Sequence, residues 1–158
     1  MKACIVACGS EKQAEDVPAG EMYVNSYSRK MADIAETHFD QQYILSAFYG
    51  LIPFDMTITP YNVHIDDVNQ DVWLTQVLRN IRRYGLDQEG VEIWLLIPKD
   101  YHQAGPDSGP VLREEIEQMD CEAVYPYDAT GGIGYQKGWL KDCQDAGELF
   151  HPEEGDYA

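Results

Sequence analysis

Lys2-Ala3-Cys4-Ile5-Val6-Ala7-Cys8-Gly9-Ser10-Glu11-Lys12 is an apolar run of strand length that stops abruptly at Cys-Gly-Ser, with a lysine four residues beyond the cysteine. A continuous apolar run marks a strand covered on both faces, which places it at the centre of a parallel sheet. In open α/β sheets, ligands bind in the crevice beyond the carboxyl ends of the strands. Cys8, Gly9, Ser10 and Lys12 are therefore the first candidates for a site.

Outward from this strand the arrangement recurs. Residues 42–46, with Tyr43-Ile44-Leu45, read as a second buried strand, 91–97 as a third and 121–125 as a short fourth. Helices are predicted between them. Asn25 and Ser26 cap 27–39, Asp66 and Asp67 cap 68–84, and Ser108 with Pro110 starts a helix reaching 119. Gly131-Gly132-Ile133-Gly134 opens a last helix over 135–145. Strands alternating with helices predict an α/β fold, a three-layer α/β/α sandwich around a mainly parallel four-stranded sheet. Right-handed crossovers bring the turns after Cys8, Leu45, Ile97 and Tyr125 to one edge. Residues 1–146 read as a single domain and 147–158 as an acidic, flexible tail. The long connection 53–68 is expected to be a binding loop.

Composition narrows the function classes. Hydrophobic residues make up 44%, which argues against global disorder, and no apolar run approaches a membrane span. With no secretory pattern at Met1-Lys2, a cytoplasmic protein is expected. The four cysteines include no C-x-x-C pair, and the histidines lack zinc spacing, so no metal site is expected. No cofactor is expected either, and the glycine turn at 131–134 matches neither G-x-G-x-x-G nor a Walker loop, so it points only weakly to nucleotide phosphate. Acid is extreme, 28 residues against 11 basic and a net charge of −17, spread along the chain. Such a surface suits a salt-rich, halophilic cytoplasm. At low ionic strength it disfavours nucleic acid, an argument that screening weakens in molar salt.

Against this background three of the six lysines, Lys12, Lys99 and Lys137, fall at or just after strand ends. Lys12 is either a cation that holds an anion or, if desolvated, a nucleophile or base. Cys8 is a thiolate candidate beside it. Arg29 and Lys30 lie in a first helical turn, either solvated or placed to meet an anion. Tyr49, Tyr61 and Tyr101 offer flat faces for a base, and the glycine turn offers backbone N–H groups to an anion as readily as it offers a tight turn.

Cys8-Gly9-Ser10-Glu11-Lys12, Met22-Tyr23, Arg29-Lys30, Tyr43-Ile44-Leu45-Ser46-Ala47-x-Tyr49-Gly50-Leu51, Pro60-Tyr61 and Gly132-Ile133-Gly134-Tyr135-Gln136 with Trp139-Leu140 resemble an uncharacterised family of small phage, bacterial and archaeal proteins. The Ser-Ala-x-Tyr-Gly-Leu block is the most specific part. Phe48 stands where that family has lysine, and Asn62 where it has aspartate. More distantly, the pattern is similar to the uracil-DNA-glycosylase-like fold and to the core domain of archaeosine synthase. The latter carries Cys-x-x-x-Lys-Pro-Tyr and acts on a 7-deazaguanine base bearing a nitrile. Cys8 and Lys12 match its first and fifth positions, while Gln13 replaces the following proline.

The resemblance implies an enzyme that modifies a nucleobase, in nucleic acid or as a free precursor. Cys8 and Lys12 would carry the chemistry. Gly9, Ser10, Ser46, Tyr49, Gly50, Tyr61 and Tyr101 would shape the base pocket, and Gly131, Gly132 and Gly134 would bind phosphate or ribose. Base excision and non-catalytic nucleotide binding stay open. A nucleic-acid substrate would be reached by this domain alone or with a partner protein.

Overall fold

A computed structural model describes residues 1–158. The central strand is β1 (Lys2–Ala7), followed by a short β2 (Val17–Pro18), α1 (Ala19–Met22) and α2 (Ser26–His38). Next come β3 (Gln41–Ser46), β4 (Gly50–Pro53), β5 (Thr57–Ile58) and α3 (Gln70–Arg83). The second half runs β6 (Glu92–Leu96), α4 (Lys99–His102), α5 (Leu112–Glu117), β7 (Glu122–Val124) and α6 (Ile133–Ala146). A five-stranded sheet has the order β4-β3-β1-β6-β7, and β2 pairs with β5 separately. β1 is parallel to both neighbours, Ile5 lying opposite Tyr43 on one side and Leu95 on the other.

Side-chain alternation along β1 explains the layering. Ala3, Ile5 and Ala7 enter one core with Trp73, Val77 and Ile81 of α3 and Leu112 and Ile116 of α5. Cys4 and Val6 enter the other, against Met31 and Ile34 of α2 and Trp139 and Leu140 of α6. Each of these four β1 neighbours of the mid-strand, Ala3 to Val6, is at most 2% exposed. Burial on both faces is why this strand reads as an unbroken apolar run.

Four expectations are corrected. The sheet has five strands, because β4 folds back antiparallel on β3. Its four residues end in Pro53, whose missing N–H is tolerated at a sheet edge. The hairpin closes at Gly50, with φ at 74°, where a Cβ would also lie 3.0 Å from Asn80 Oδ1. Secondly, Asp66 and Asp67 do not cap α3; they belong to a separate turn, Ile65–Asp67, and Asn69 Oδ1 accepts from the Asp71 and Val72 N–H groups at 3.1 Å. Thirdly, α5 starts at Leu112, beyond Ser108 and Pro110, with the Glu114 carboxylate accepting from Val111 N at 3.2 Å. Finally, 53–68 is not one open connection, since β5 within it pairs with β2.

The segment 147–158, expected as a flexible tail, is tied to α6. Trp139 Nε1 donates to Phe150 O at 2.9 Å, Tyr157 OH to Asp142 Oδ2 at 2.6 Å, and Gly131 N to Tyr157 O at 2.8 Å. No helix is long and apolar enough to cross a membrane.

Trp139 is fully buried, so Trp139→Ala is expected to cost about 3–5 kcal/mol. Asn69→Ala removes only a cap, at about 1 kcal/mol. Denaturant unfolding of both variants checks the order; equal losses would contradict the packing described.

Candidate functional site

The strand order fixes where a crevice opens. After β1 the chain passes to α2 on one face, and after β6 to α5 on the opposite face, so the adjacent ends of β1 and β6 are a topological switch point. Two hollows flank it and share Cys8, Gly9 and Pro98 as a common wall. The first, about 200 Å³, contains Lys12, Asn62, His64, Asp100 and Tyr101. The second, about 420 Å³, has apolar walls from Ala7, Met31, Leu96 and Ile133, with Tyr27, Gln136 and Lys137 adding polar groups. A third, about 570 Å³, lies beyond β6 and meets the second at Pro98 and Gln136.

Gly9 makes the shared wall possible. A Cβ there would lie 2.5 Å from Ser28 Oγ and 3.0 Å from Asn25 Nδ2, so the start of α2 packs directly on the glycine backbone. Asn25 Oδ1 accepts from Ser28 N at 2.8 Å and holds that helix start in place.

Around Cys8 the structure gathers hydroxyl groups. Cys8 Sγ lies 3.1 Å from Tyr101 OH. Tyr23 OH and Tyr61 OH are 2.6 Å apart, and Ser46 Oγ donates to Tyr61 OH at 2.7 Å. The same Ser46 oxygen accepts from Phe48 N and Tyr49 N, closing the β3–β4 hairpin. Lys12 Nζ sits 4.8 Å from the Tyr61 ring centroid and 5.9 Å from that of Tyr23, and it donates to Ser10 O at 3.4 Å. The amine is thus held over two aromatic faces. Burial pushes the Tyr23, Tyr61 and Tyr101 hydroxyls well above the usual phenol range, and a charge on Cys8 pushes each further. They stay protonated.

The expected site residues divide into two groups. Cys8, Gly9, Ser10, Lys12 and Tyr101 line one hollow, and Tyr61 lies under the Lys12 amine. Ser46 is fully buried and reaches that hollow only through Tyr61 OH. Tyr49 is bound to Thr59, donating from its hydroxyl to Thr59 O at 3.1 Å and accepting from Thr59 N at 3.0 Å. Gly50 makes a turn. Gly131, Gly132 and Gly134 do not line the second hollow; its α6 wall is Ile133, Gln136 and Lys137. Gly131 N is already used by Tyr157 O, and Gly132 is the N-cap of α6. Arg29 serves the fold, donating to Gly20 O and Tyr23 O.

Sequence reasoning missed Asn62, His64, Asp100, Tyr27 and Gln136. The long loop at 53–68 was the available signal for the first two. Tyr27 donates to Gln136 Oε1 at 2.5 Å across the two helix starts, a pairing 109 residues apart that local pattern does not encode. Cys4 and Cys143 are buried, Cys8 and Cys121 half-buried, and all four are free thiols.

The tyrosines give a pH test. Burial raises Tyr27 to about 12. A hydroxyl raised in the fold contributes stability in full below its unfolded value near 10 and loses it as pH climbs towards the folded value. Phenolate absorbance is therefore expected to rise in a cooperative step, together with loss of circular dichroism, above about pH 10. A smooth non-cooperative titration of all the tyrosines near pH 10 would contradict the buried network.

Comparison with known proteins gives a family and no activity. No curated protein and no solved structure matches. Residues 3–142 match the model of a family of unknown function, DUF6884, and the chain belongs to that family.

Proposed function

We propose that this protein is a nucleobase-directed enzyme, with a modified guanine of the 7-deaza type as its substrate. One observation carries the proposal. A cysteine sits on the wall shared by an apolar-sided hollow of base-accommodating size and a smaller polar hollow containing a lysine. Small-molecule sites have this character, mostly apolar walls with a few convergent polar groups. Ala7, Met31, Leu96 and Ile133 would flank the base, and Tyr27, Gln136 and Lys137 would address its polar edge.

Cys8 acts as the nucleophile towards an electrophilic carbon on the base, such as a nitrile carbon: a C–S bond forms as one C≡N π bond opens, and the nitrogen takes up the proton that the thiol gives up. Tyr101, kept protonated by burial, lies 3.1 Å from the sulfur and can donate to it. Lys12 supplies positive charge in the same hollow. Ser46 and Tyr61 act at one remove, fixing the ring over which the Lys12 amine rests. The fold likeness to uracil-DNA glycosylases belongs to this proposal, supported by the switch-point crevice. So does a salt-rich habitat, supported by the −17 charge.

A second reading, base excision, is favoured by Asp100 and Asn62 lining the Lys12 hollow, where a carboxylate and an amide can orient a water. The two diverge experimentally. Nucleosides from cells with and without the gene are compared by mass spectrometry, and a modified base is expected to change in abundance. Cys8→Ser is expected to lower turnover on the order of 10³-fold or more, with Asp100→Asn retaining activity. An unchanged nucleoside profile rejects modification. Release of free base, abolished by Asp100→Asn and spared by Cys8→Ser, establishes excision instead.

A further inference from the structure

The second and third hollows meet at Pro98 and Gln136, and each of these residues is followed in sequence by a lysine, Lys99 and Lys137. Neither lysine is in an ion pair, although the chain carries 28 acidic residues. Lys99 is the first residue of α4, and Lys137 lies at the fifth position of α6.

Acid is missing where it would be expected. α1, α3, α4 and α5 each have an acidic residue in the first turn, whereas α2 and α6 have none. Those two are the helices whose first turns line the second hollow. Across the three hollows together, four of the chain's 11 basic residues appear beside five of its 28 acids. Glu117 and Asp128 among those acids are held by Arg113, at 3.1 and 2.5 Å. The edge is thus nearly neutral on a strongly negative body.

An independent observation comes from the third hollow. His102, only 8% exposed, is one of its lining residues, and its Nδ1 lacks any hydrogen-bond partner. Buried polar atoms in this state are costly unless something arrives to pair with them.

We propose that the ligand is a phosphate-bearing nucleotide, its base in the second hollow and its phosphate at the junction between Lys137 and Lys99. His102 pairs with the part of the ligand that enters the third hollow. This rests on the nucleobase reading above and narrows it from any base to a free nucleotide. At low ionic strength a mononucleotide confines its charge to the neutral edge, whereas the phosphates of a polynucleotide continue over the acidic surface and are repelled.

Calorimetric titration of the full chain with guanosine, guanosine 5′-monophosphate, inorganic pyrophosphate and a single-stranded deoxyoligonucleotide tests this. The monophosphate is expected to bind about tenfold or more tighter than guanosine, as one charge-assisted contact provides. Lys99→Met is expected to remove most of that difference and leave guanosine binding unchanged. The Lys99 side chain is exposed, so the fold should persist, which circular dichroism verifies. Equal affinity for guanosine and its monophosphate overturns the phosphate site while leaving the base pocket standing. Pyrophosphate binding that depends on Lys99, with no binding of guanosine, supports the anion site and overturns the base pocket. An oligonucleotide that binds tighter than the monophosphate overturns the assignment to a free nucleotide.

Discussion

β1 is enclosed on four sides. Two strands bond to its edges and two helical layers cover its faces, so only its two ends are open, and the crevice lies at the carboxyl one. That confinement governs the molecule. A six-residue strand with no free edge or face offers no surface along its length, and the candidate site lies where it runs out, at Cys8 and Gly9. The β6 end lies alongside, and the opposed routes of the two crossovers part the chain there. Cys8 is held at the resulting gap by a backbone that has no freedom to withdraw.

How much of this was legible follows from the same constraint. Strands buried on both faces betray themselves in sequence as unbroken apolar runs, so β1, β3 and β6 could be read directly, as could α2 from its Asn25 cap. β4 could not. Gly50-Leu51-Ile52-Pro53 is too short for periodicity, and its pairing is created by a hairpin that Ser46 closes with its side chain. The site shows a similar division. Cys8, Lys12 and Tyr101 were legible because they follow strand ends. Tyr23, Tyr27, Asn62 and Gln136 arrive from other segments through tertiary packing. The glycine turn misled for a physical reason: Gly131 would meet the Tyr135 ring at 2.7 Å with any Cβ, so its small size serves packing.

The hairpin shows how one short motif serves fold and site together. Ser46 accepts two backbone N–H groups, donates to Tyr61, and offers its carbonyl to Trp73 Nε1 at 2.9 Å. A side chain with every hydrogen-bonding position committed has no capacity left for substrate. Its influence passes through Tyr61, which stacks under Phe48 with ring centroids 5.4 Å apart and carries the Lys12 amine near its face. Residues that look like pocket residues in sequence are here the supports of the pocket.

The ties between α6 and the segment beyond it have a practical side. Trp139 Nε1 and Gly131 N both find their acceptors in carbonyls of 147–158, one fully buried in α6 and the other at its very start. Trimming that acidic stretch to ease crystallisation would strand a buried indole donor and release the turn from which Ile133, Gln136 and Lys137 are presented. Protein prepared for ligand work should retain it, since shortening would alter the cleft in the same stroke as the surface.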